Sequence, residues 1–483
     1  MTMNKSMKLK AMSNESSKMG ILENFFKLEA HGTTVKTEVM AGLTTFFASA
    51  FTILAIPGMI GQGNTQIING VFFAACISAA IGTLMKAFFV NIPFVQAPGM
   101  GLGSFFAFTA MPALAVLSGN PDLSIVEQYQ MALALVFVSG IIFLLTSIGG
   151  VREKIIVGIP KNIKLALGSG IGLFITLLGL RQSGLVVGSS STFVTLINFG
   201  NMAENSTQIL GAVLSLVGLF TMVILSVKKV KGSLLFGIVL TTLLAYVTGH
   251  TSMPESFSFN LAGISRDFYE VSFLRMNFSP IFESVNNPAA LGTILALISA
   301  FVLVNMLDAL GTIFGIASAS GMVDEKGEVR GLEKGMTVDA IGTAIGAMMG
   351  SSSTATVVSS ASGIAEGGRT GLTSLVTGVL FIVSLFLAPF VGLIPIIATA
   401  PALIFVGCLM MSQIKEVDFV DLTEAVPAYL TIAMMPLTFS IANGIAFGLI
   451  SYIIIKLFSG RIKEVKPAAA IIALVFVLQF VLA

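Results

Sequence analysis

Long apolar runs alternate with short polar or glycine-rich breaks along almost the whole chain. The runs fall near residues 39–61, 69–90, 96–117, 130–149, 160–180, 207–227 and 232–249. Beyond a polar stretch at 250–288 they resume near 290–318, 336–350, 351–365, 370–396, 398–413, 427–441 and 443–458. Most have the length that a helix needs to cross about 30 Å of hydrocarbon, so the pattern predicts fourteen membrane spans. The first twenty residues are polar and Lys-rich with no apolar centre, the pattern of a cytoplasmic tail and not of a cleavable signal. A last apolar segment, 467–483, has no fixed place in this scheme.

Lysines and arginines in the short loops orient the spans. With the N-terminus inside, Arg152, Lys154 and Lys161, then Lys228, Lys229 and Lys231, then Lys326, Arg330 and Lys334 all face the cytoplasm. One continuous helix over 427–458 would carry Arg461, Lys463 and Lys466 to the outside. A break at Asn443-Gly444, with Pro436 weakening the first arm, returns them inside. The expected organisation is a cytoplasmic tail at 1–38, a seven-span repeat at 39–249, an extracytoplasmic loop at 250–288, a second seven-span repeat at 289–458 and a C-terminal tail at 459–483. The expected location is the plasma (inner) membrane, crossed many times.

Composition settles the solvent. Of 483 residues, 55% are hydrophobic and 10% charged, far fewer charges than the roughly 25% of a soluble domain. The chain cannot cover itself with a water-facing surface. Forty-nine glycines suit close helix packing and broken helices. A net charge of +2 gives no electrostatic footprint for nucleic acid. Cys76 and Cys408 lie far apart in apolar runs and read as buried small hydrophobes with no disulfide, and no residue pattern asks for a metal or cofactor.

Candidate chemistry begins with Asp308, an acid inside the apolar stretch 289–319. A carboxylate there must face a protein interior or a wet cavity, because facing lipid costs about 3 kcal/mol or more. One that leaves water for part of a cycle can take up and release a proton. An internal repeat supplies its setting. Ala80-Ile81-Gly82-Thr83-Leu84-Met85 and Ala344-Ile345-Gly346-Ala347-Met348-Met349 match in pattern, and each precedes a stretch that reads badly as a continuous helix, Ile92 to Gly103 and Gly350 to Gly363. Prolines, glycines and hydroxyls at matching positions of two halves mark discontinuous elements, with extended backbone leading into a half-helix near the membrane midplane. Residues near 96–103 and 352–360 are therefore expected to be extended and to face each other. Seven spans per half is an odd number, so the repeats must be inverted.

These motifs resemble a known family. The segments that carry the resemblance are Phe26-Lys27-Leu28-Glu29-Ala30-His31-Gly32-Thr33-Thr34, Ala97-Pro98-Gly99-Met100-Gly101-Leu102 and Asp308-Ala309-Leu310-Gly311-Thr312. To these add Gly363-Ile364-Ala365-Glu366-Gly367-Gly368-Arg369-Thr370-Gly371-Leu372-Thr373 and Ala398-Thr399-Ala400-Pro401-Ala402-Leu403-Ile404. Together they are similar to the nucleobase-cation symporter 2 superfamily, in its AzgA-like adenine/guanine/hypoxanthine permease branch. The resemblance covers roughly residues 22–458. It implies an all-α polytopic membrane protein, a 7+7 inverted-repeat transporter whose core (spans 1–4 and 8–11) moves against a gate (spans 5–7 and 12–14). It also implies a purine nucleobase held between the two broken segments and taken up with protons, the span-8 acid falling on Asp308. The chain departs from the family at the other anchors. The usual Asn of span 3 is Gly103, the second acid of span 10 is Ser359, and the Asn-Pro closing span 1 is Ile56-Pro57.

Read from the residues alone, a purine pocket needs an aromatic wall, backbone groups and a strong acceptor, because the base is planar, apolar on its faces and polar at its edges. Phe105, Phe106 and Phe108 are candidates for the wall and Asp308 for the acceptor and proton carrier. The Ser/Thr run near 351–360, Thr354 and Ser359 in particular, offers weaker polar contacts beside Gly103. Each has a plainer alternative: core packing for the phenylalanines, backbone satisfaction for the hydroxyls, a structural partner for Asp308. Asp339 reads as an interfacial charge at the start of span 9. Glu366 and Arg369, just past span 10, read as a structural ion pair or helix-end contacts, with gating as the other reading. His31 and His250 fall outside the spans. The partners expected are a small-molecule substrate (a purine base or similar), a proton and the lipid bilayer, with a homodimer left open. A same-fold permease for another small polar solute or an anion is the competing function. A membrane enzyme finds no support, since no His-Glu-x-x-His, Gly-x-Gly-Asp or serine-elbow motif is present.

Overall fold

The computed structural model describes residues 20, 22–120, 122–146, 158–189, 193–200, 202–252, 261–319, 331–391 and 393–482. The first seven apolar runs form α1 (Val35–Gly61), α2 (Thr65–Val90), strand β1 (Gln96–Pro98) leading into α3 (Met100–Ser118), α4 (Ile125–Thr146), α5 (Lys161–Gln182), α6 (Met202–Val227) and α7 (Ser233–Val247). A hairpin of β2 (Val186–Ser189) and β3 (Phe193–Leu196) follows α5. The second set is α8 (Pro288–Ala319), α9 (Leu332–Met349), β4 (Thr354–Thr356) leading into the short α10 (Ser360–Ala365), α11 (Gly371–Val391), α12 (Ile396–Glu416), α13 (Leu422–Leu437) and α14 (Ile441–Phe458). The fold is all-α and polytopic, with two seven-span inverted halves, each carrying one broken element at the same place.

Local chemistry sets the boundaries. Asn64 caps α2 by accepting from Ile67 N at 3.1 Å, and Ser440 caps α14 by accepting from Asn443 N at 3.2 Å; such caps satisfy amides that a helix start leaves without partners. The expected break in 427–458 is therefore present, three residues earlier than Asn443, with Pro436 in the last turn of α13. Gly350 ends α9 at φ +100°, a backbone state that side chains rarely adopt.

Packing separates two bodies. Helices α1, α2, α4, α9 and α11 pack on one another, and α5, α6, α7, α12, α13 and α14 on one another. Glycine lets α5 and α12 approach closely in the gate: a Cβ on Gly172 of α5 would lie 2.7 Å from the carbonyl oxygen of Gly407 in α12. Fewer contacts cross from core to gate, among them those of α3 on α5 and α12 on α1. The C-terminal apolar tail forms α15 (Pro467–Leu482) and packs on α8 and α14.

The two broken elements meet inside the core. Strands β1 and β4 pair antiparallel, with Gln96 opposite Thr356, Ala97 opposite Ala355 and Pro98 opposite Thr354. All six residues are buried. Gly99 N donates to Ser353 O at 3.3 Å and Val357 N to Val95 O at 3.0 Å, extending the crossing at both ends. The extended stretches are shorter than the sequence suggests: Met100 to Gly103 are already helical, because Gly99 serves as the residue before α3.

Other expectations shift. The 250–288 stretch contains two short helices, Leu261–Asp267 and Ser279–Ser284. The β2–β3 hairpin was not foreseen, since its strands are only four residues each and none of their residues is buried, giving no clean alternation. Cys408 is exposed, unlike buried Cys76. Arg152, Lys154, Lys326, Arg330 and the tail 1–19 lie outside the described residues.

Candidate functional site

Asp308 projects from α8 and is half-buried. It makes no hydrogen bond or ion pair among the described residues. A lone carboxylate within a membrane span is costly unless something that comes and goes satisfies it. One helical turn earlier lies Asn305, 1% exposed. Its Nδ2 donates to Thr343 Oγ1 at 2.6 Å, and Thr343 in turn lies 3.1 Å from both Ser353 Oγ and Thr354 O. This chain of contacts fixes α8 against α9 and against the segment entering β4.

Several polar atoms around the crossing are left over. Among the described residues, Gln96 Oε1, Asn305 Oδ1, Ser351 Oγ, Ser352 Oγ and Ser359 Oγ are buried without a hydrogen-bond partner. An unsatisfied buried polar group costs about 1–3 kcal/mol, so five in one core, with Asp308, are the mark of a place built for a polar ligand.

The other candidates are distributed around this centre. Gly103 faces the same region: a Cβ there would lie 3.5 Å from Ser352 Oγ, but also 2.6 Å from Ile56 Cδ1 and 3.0 Å from Met59 Cε. Ile56, standing at the end of span 1, thus fills the space beside Gly103. Ser359 precedes α10 and is half-buried. Thr354 sits in β4 with its hydroxyl donating to Gly342 O at 2.6 Å, so that hydroxyl serves the fold. Phe105 and Phe106 are fully buried. Phe105 packs edge-on to Phe301 of α8 at 4.6 Å between ring centroids, and Phe106 edge-on to Tyr129 of α4 at 5.9 Å. Both rings therefore form the joint between α3 and its core neighbours.

Glu366 and Arg369 do not pair with each other. Glu366 meets Lys231 of the α6–α7 connection at 2.8 Å, and Lys231 also donates to Thr44 Oγ1 of α1 at 3.2 Å. The Arg369 guanidinium donates to the carbonyls of Ile364 (2.7 Å) and Gly368 (2.8 Å), closing the end of α10. Beside it, fully buried Glu38 of α1 accepts from Arg369 N at 2.8 Å, Thr373 N at 3.1 Å and Thr373 Oγ1 at 2.6 Å. Glu38 thereby supplies from another helix the acceptor that the start of α11 needs.

Asp339 corrects the sequence reading most. It lies about two turns inside α9 because that helix starts at Leu332, and it is fully buried. Its carboxylate pairs with Lys86 Nζ of α2 at 2.9 Å, both side chains 0% exposed. Thr356 Oγ1 of β4 lies 2.7 Å from Asp339 Oδ2, while Gln96 of β1 donates to Asp339 and Lys86 donates to Thr356. One ion pair therefore holds both strands of the crossing. In the sequence Lys86 directly follows the first repeat motif and Asp339 lies five residues before the second, and their ion pair shows the two at one depth.

Comparison with known proteins agrees with this architecture. The profile of the Permease family matches residues 36–447. A putative permease of Methanocaldococcus jannaschii is 38% identical over 464 residues, covering 96% of this chain and 99% of that one. The adenine permease AdeP of Escherichia coli is 35% identical over 488 residues (97% and 98%), and the guanine/hypoxanthine permease PbuO of Bacillus subtilis 35% over 462 (94% and 99%). Among solved structures, the transmembrane domain of the cyanobacterial bicarbonate transporter BicA superposes with a TM-score of 0.57 at 16% identity (84% of this chain, 97% of that one). SLC26A9 superposes with a TM-score of 0.62 at 11% identity (94% and 70%), and both share the fold alone. With two inverted seven-span halves, a buried strand crossing and a family profile spanning most of its length, the chain belongs to the Permease family of multi-pass membrane transporters.

Proposed function

We propose that this protein takes up purine nucleobases (adenine, guanine or hypoxanthine) across the plasma membrane, coupled to protons. The observation that carries the reading is the unpaired Asp308 carboxylate beside a strand crossing with five unsatisfied buried polar atoms among the described residues, in a chain whose relatives include purine permeases. Donors on the edge of a base would meet Asp308 and Asn305 Oδ1. Acceptors on the base would meet the hydroxyls of Ser351, Ser352 and Ser359. A proton bound at Asp308 in one phase of the cycle and released in another would link the base to the gradient.

In this reading the N-terminus is cytoplasmic, the repeats run over 39–249 and 289–458, and the meeting of Lys231, Glu366 and Thr44 lies on the cytoplasmic face. A permease for another polar solute or an anion is the second reading, favoured by Ser359 standing where a second acid would anchor a base. Thermal melting of the purified protein against a panel of bases, nucleosides, vitamins and small anions separates the two. A base present at a hundred times its Kd should contribute about 2.7 kcal/mol to stability. Stabilisation by anions or vitamins and by none of the bases would overturn the purine assignment.

A further inference from the structure

We propose that Lys86 is a tethered cation: its ammonium occupies a monovalent-cation site formed by the oxygens of Asp339 and Thr356, with the Gln96 amide donating to Asp339. The oxygens converge as ligands of a small hard cation do. Nζ lies 2.9 Å from Asp339 Oδ1 and donates to Thr356 Oγ1. Thr356 Oγ1 is also 2.7 Å from Asp339 Oδ2 and 3.1 Å from Asp339 Oδ1, so the hydroxyl and the carboxylate already form one cluster. Gln96 closes the third side as a donor, its amide nitrogen meeting Asp339. Its amide is packed where α2 and α9 each place a glycine, since a Cβ on Gly82 or Gly342 would strike the Gln96 Oε1 atom. That Oε1 is fully buried and has no hydrogen-bond partner among the described residues, so Gln96 serves the carboxylate and the cation ligands are the oxygens of Asp339 and Thr356.

The electrostatic setting is compact. Asp339 is the charged partner of Lys86, and Asp308 of α8 is a second carboxylate in this part of the core, one turn from Asn305, whose partner Thr343 lies one turn from Asp339. Two carboxylates and one ammonium leave a single negative charge, which one proton on Asp308 cancels. A buried ammonium that cannot leave thus removes any need for a free coupling metal ion at Asp339. Loss of the ammonium leaves a buried, solvent-deprived carboxylate with oxygen neighbours and a vacancy the size of a small ion.

The melting test needs no substrate, so it fails or succeeds independently of the purine assignment. Purified wild type, Lys86→Met and the double variant Lys86→Met/Asp339→Asn are melted in sodium and in choline chloride at equal ionic strength. The expected result is a rise of about a few degrees in sodium for Lys86→Met alone, with wild type and the double variant indifferent. In uptake assays of the base identified by melting, Lys86→Met should become sodium-stimulated while wild type does not. Three results would each overturn the assignment: sodium-specific stabilisation of wild type, a folded Lys86→Met chain with no sodium response, or a response that survives Asp339→Asn. A Lys86→Met chain that fails to fold even when made and purified in sodium counts against it equally, because the ion should take the place of the ammonium.

Discussion

Replacing Asp308 by Asn keeps the volume of the side chain and removes its charge and its proton. Asp308 makes no protein hydrogen bond or ion pair among the described residues, so the fold should not miss it. Asp308→Asn is expected to reach the membrane with a melting temperature close to wild type and to lose accumulation of base; a large drop in melting temperature would make it a structural residue instead. Ser359 carries the opposite expectation. A carboxylate there would add a charge-assisted hydrogen bond to the base, about 1.5–3 kcal/mol, so Ser359→Glu should tighten purine binding roughly ten- to a hundredfold in a titration. Gly103→Asn, which would restore the family's usual residue, is not expected to help in the same way, because Ile56 Cδ1 and Met59 Cε must first move aside. Asp308 was legible from its sequence surroundings because an acid in an apolar run has few explanations. Asn305 was not, and Ser351 and Ser352 were legible only as members of the Ser/Thr run near 351–360, because an amide or hydroxyl in a span is common and only the structure reveals which of them lacks a partner.

Among the elements, breaks and caps decide the shape. Fourteen spans and the two broken ones were readable from run length, proline and glycine, and the strand pairing followed from the matched repeat. The depth of Asp339 was not, since α9 begins four residues before the apolar run that marked it, and the polar first turn hid the start. Gly350 makes a test at this scale. A Cβ there would lie 2.7 Å from the Tyr129 hydroxyl and 2.9 Å from Ser272 Cα, in a backbone state unfavourable to any side chain. Gly350→Ala should lower the melting temperature by several degrees and reduce the yield of folded protein; an unchanged melt would mean the turn after α9 is soft. The start of α13 gives a pH test. Asp421 accepts from Thr423 N and Oγ1 (2.9 and 2.8 Å) and pairs with Arg461 at 2.7 Å, and these contacts hold its carboxyl down at about 2 from an ordinary 3.8. A depressed carboxyl stabilises the fold above its unfolded pKa, and that contribution fades as pH falls from about 3.8 to about 2. Acid melts of wild type should therefore be steeper in that window than those of Asp421→Asn.

For the whole molecule, the core and the gate must move past each other if a site between them is to open to each side in turn. Lys231 and Glu366 join the two bodies at 2.8 Å, with side chains 44% and 37% exposed. A pair that wet contributes at most about 1 kcal/mol, which suits a contact broken and remade in every cycle. Glu366→Gln should leave the melting temperature nearly unchanged and alter the exchange rate by no more than about fivefold; a complete loss of transport would make the pair a part of the site.

The most direct measurement is accumulation of labelled adenine, guanine and hypoxanthine in proteoliposomes under an imposed pH gradient, with wild type and Asp308→Asn in parallel. Wild type is expected to concentrate at least one base above its external level and to lose it when the gradient is collapsed, while Asp308→Asn does neither. Accumulation by Asp308→Asn that matches wild type and still follows the gradient, or a wild type that concentrates none of the three bases, would contradict the account.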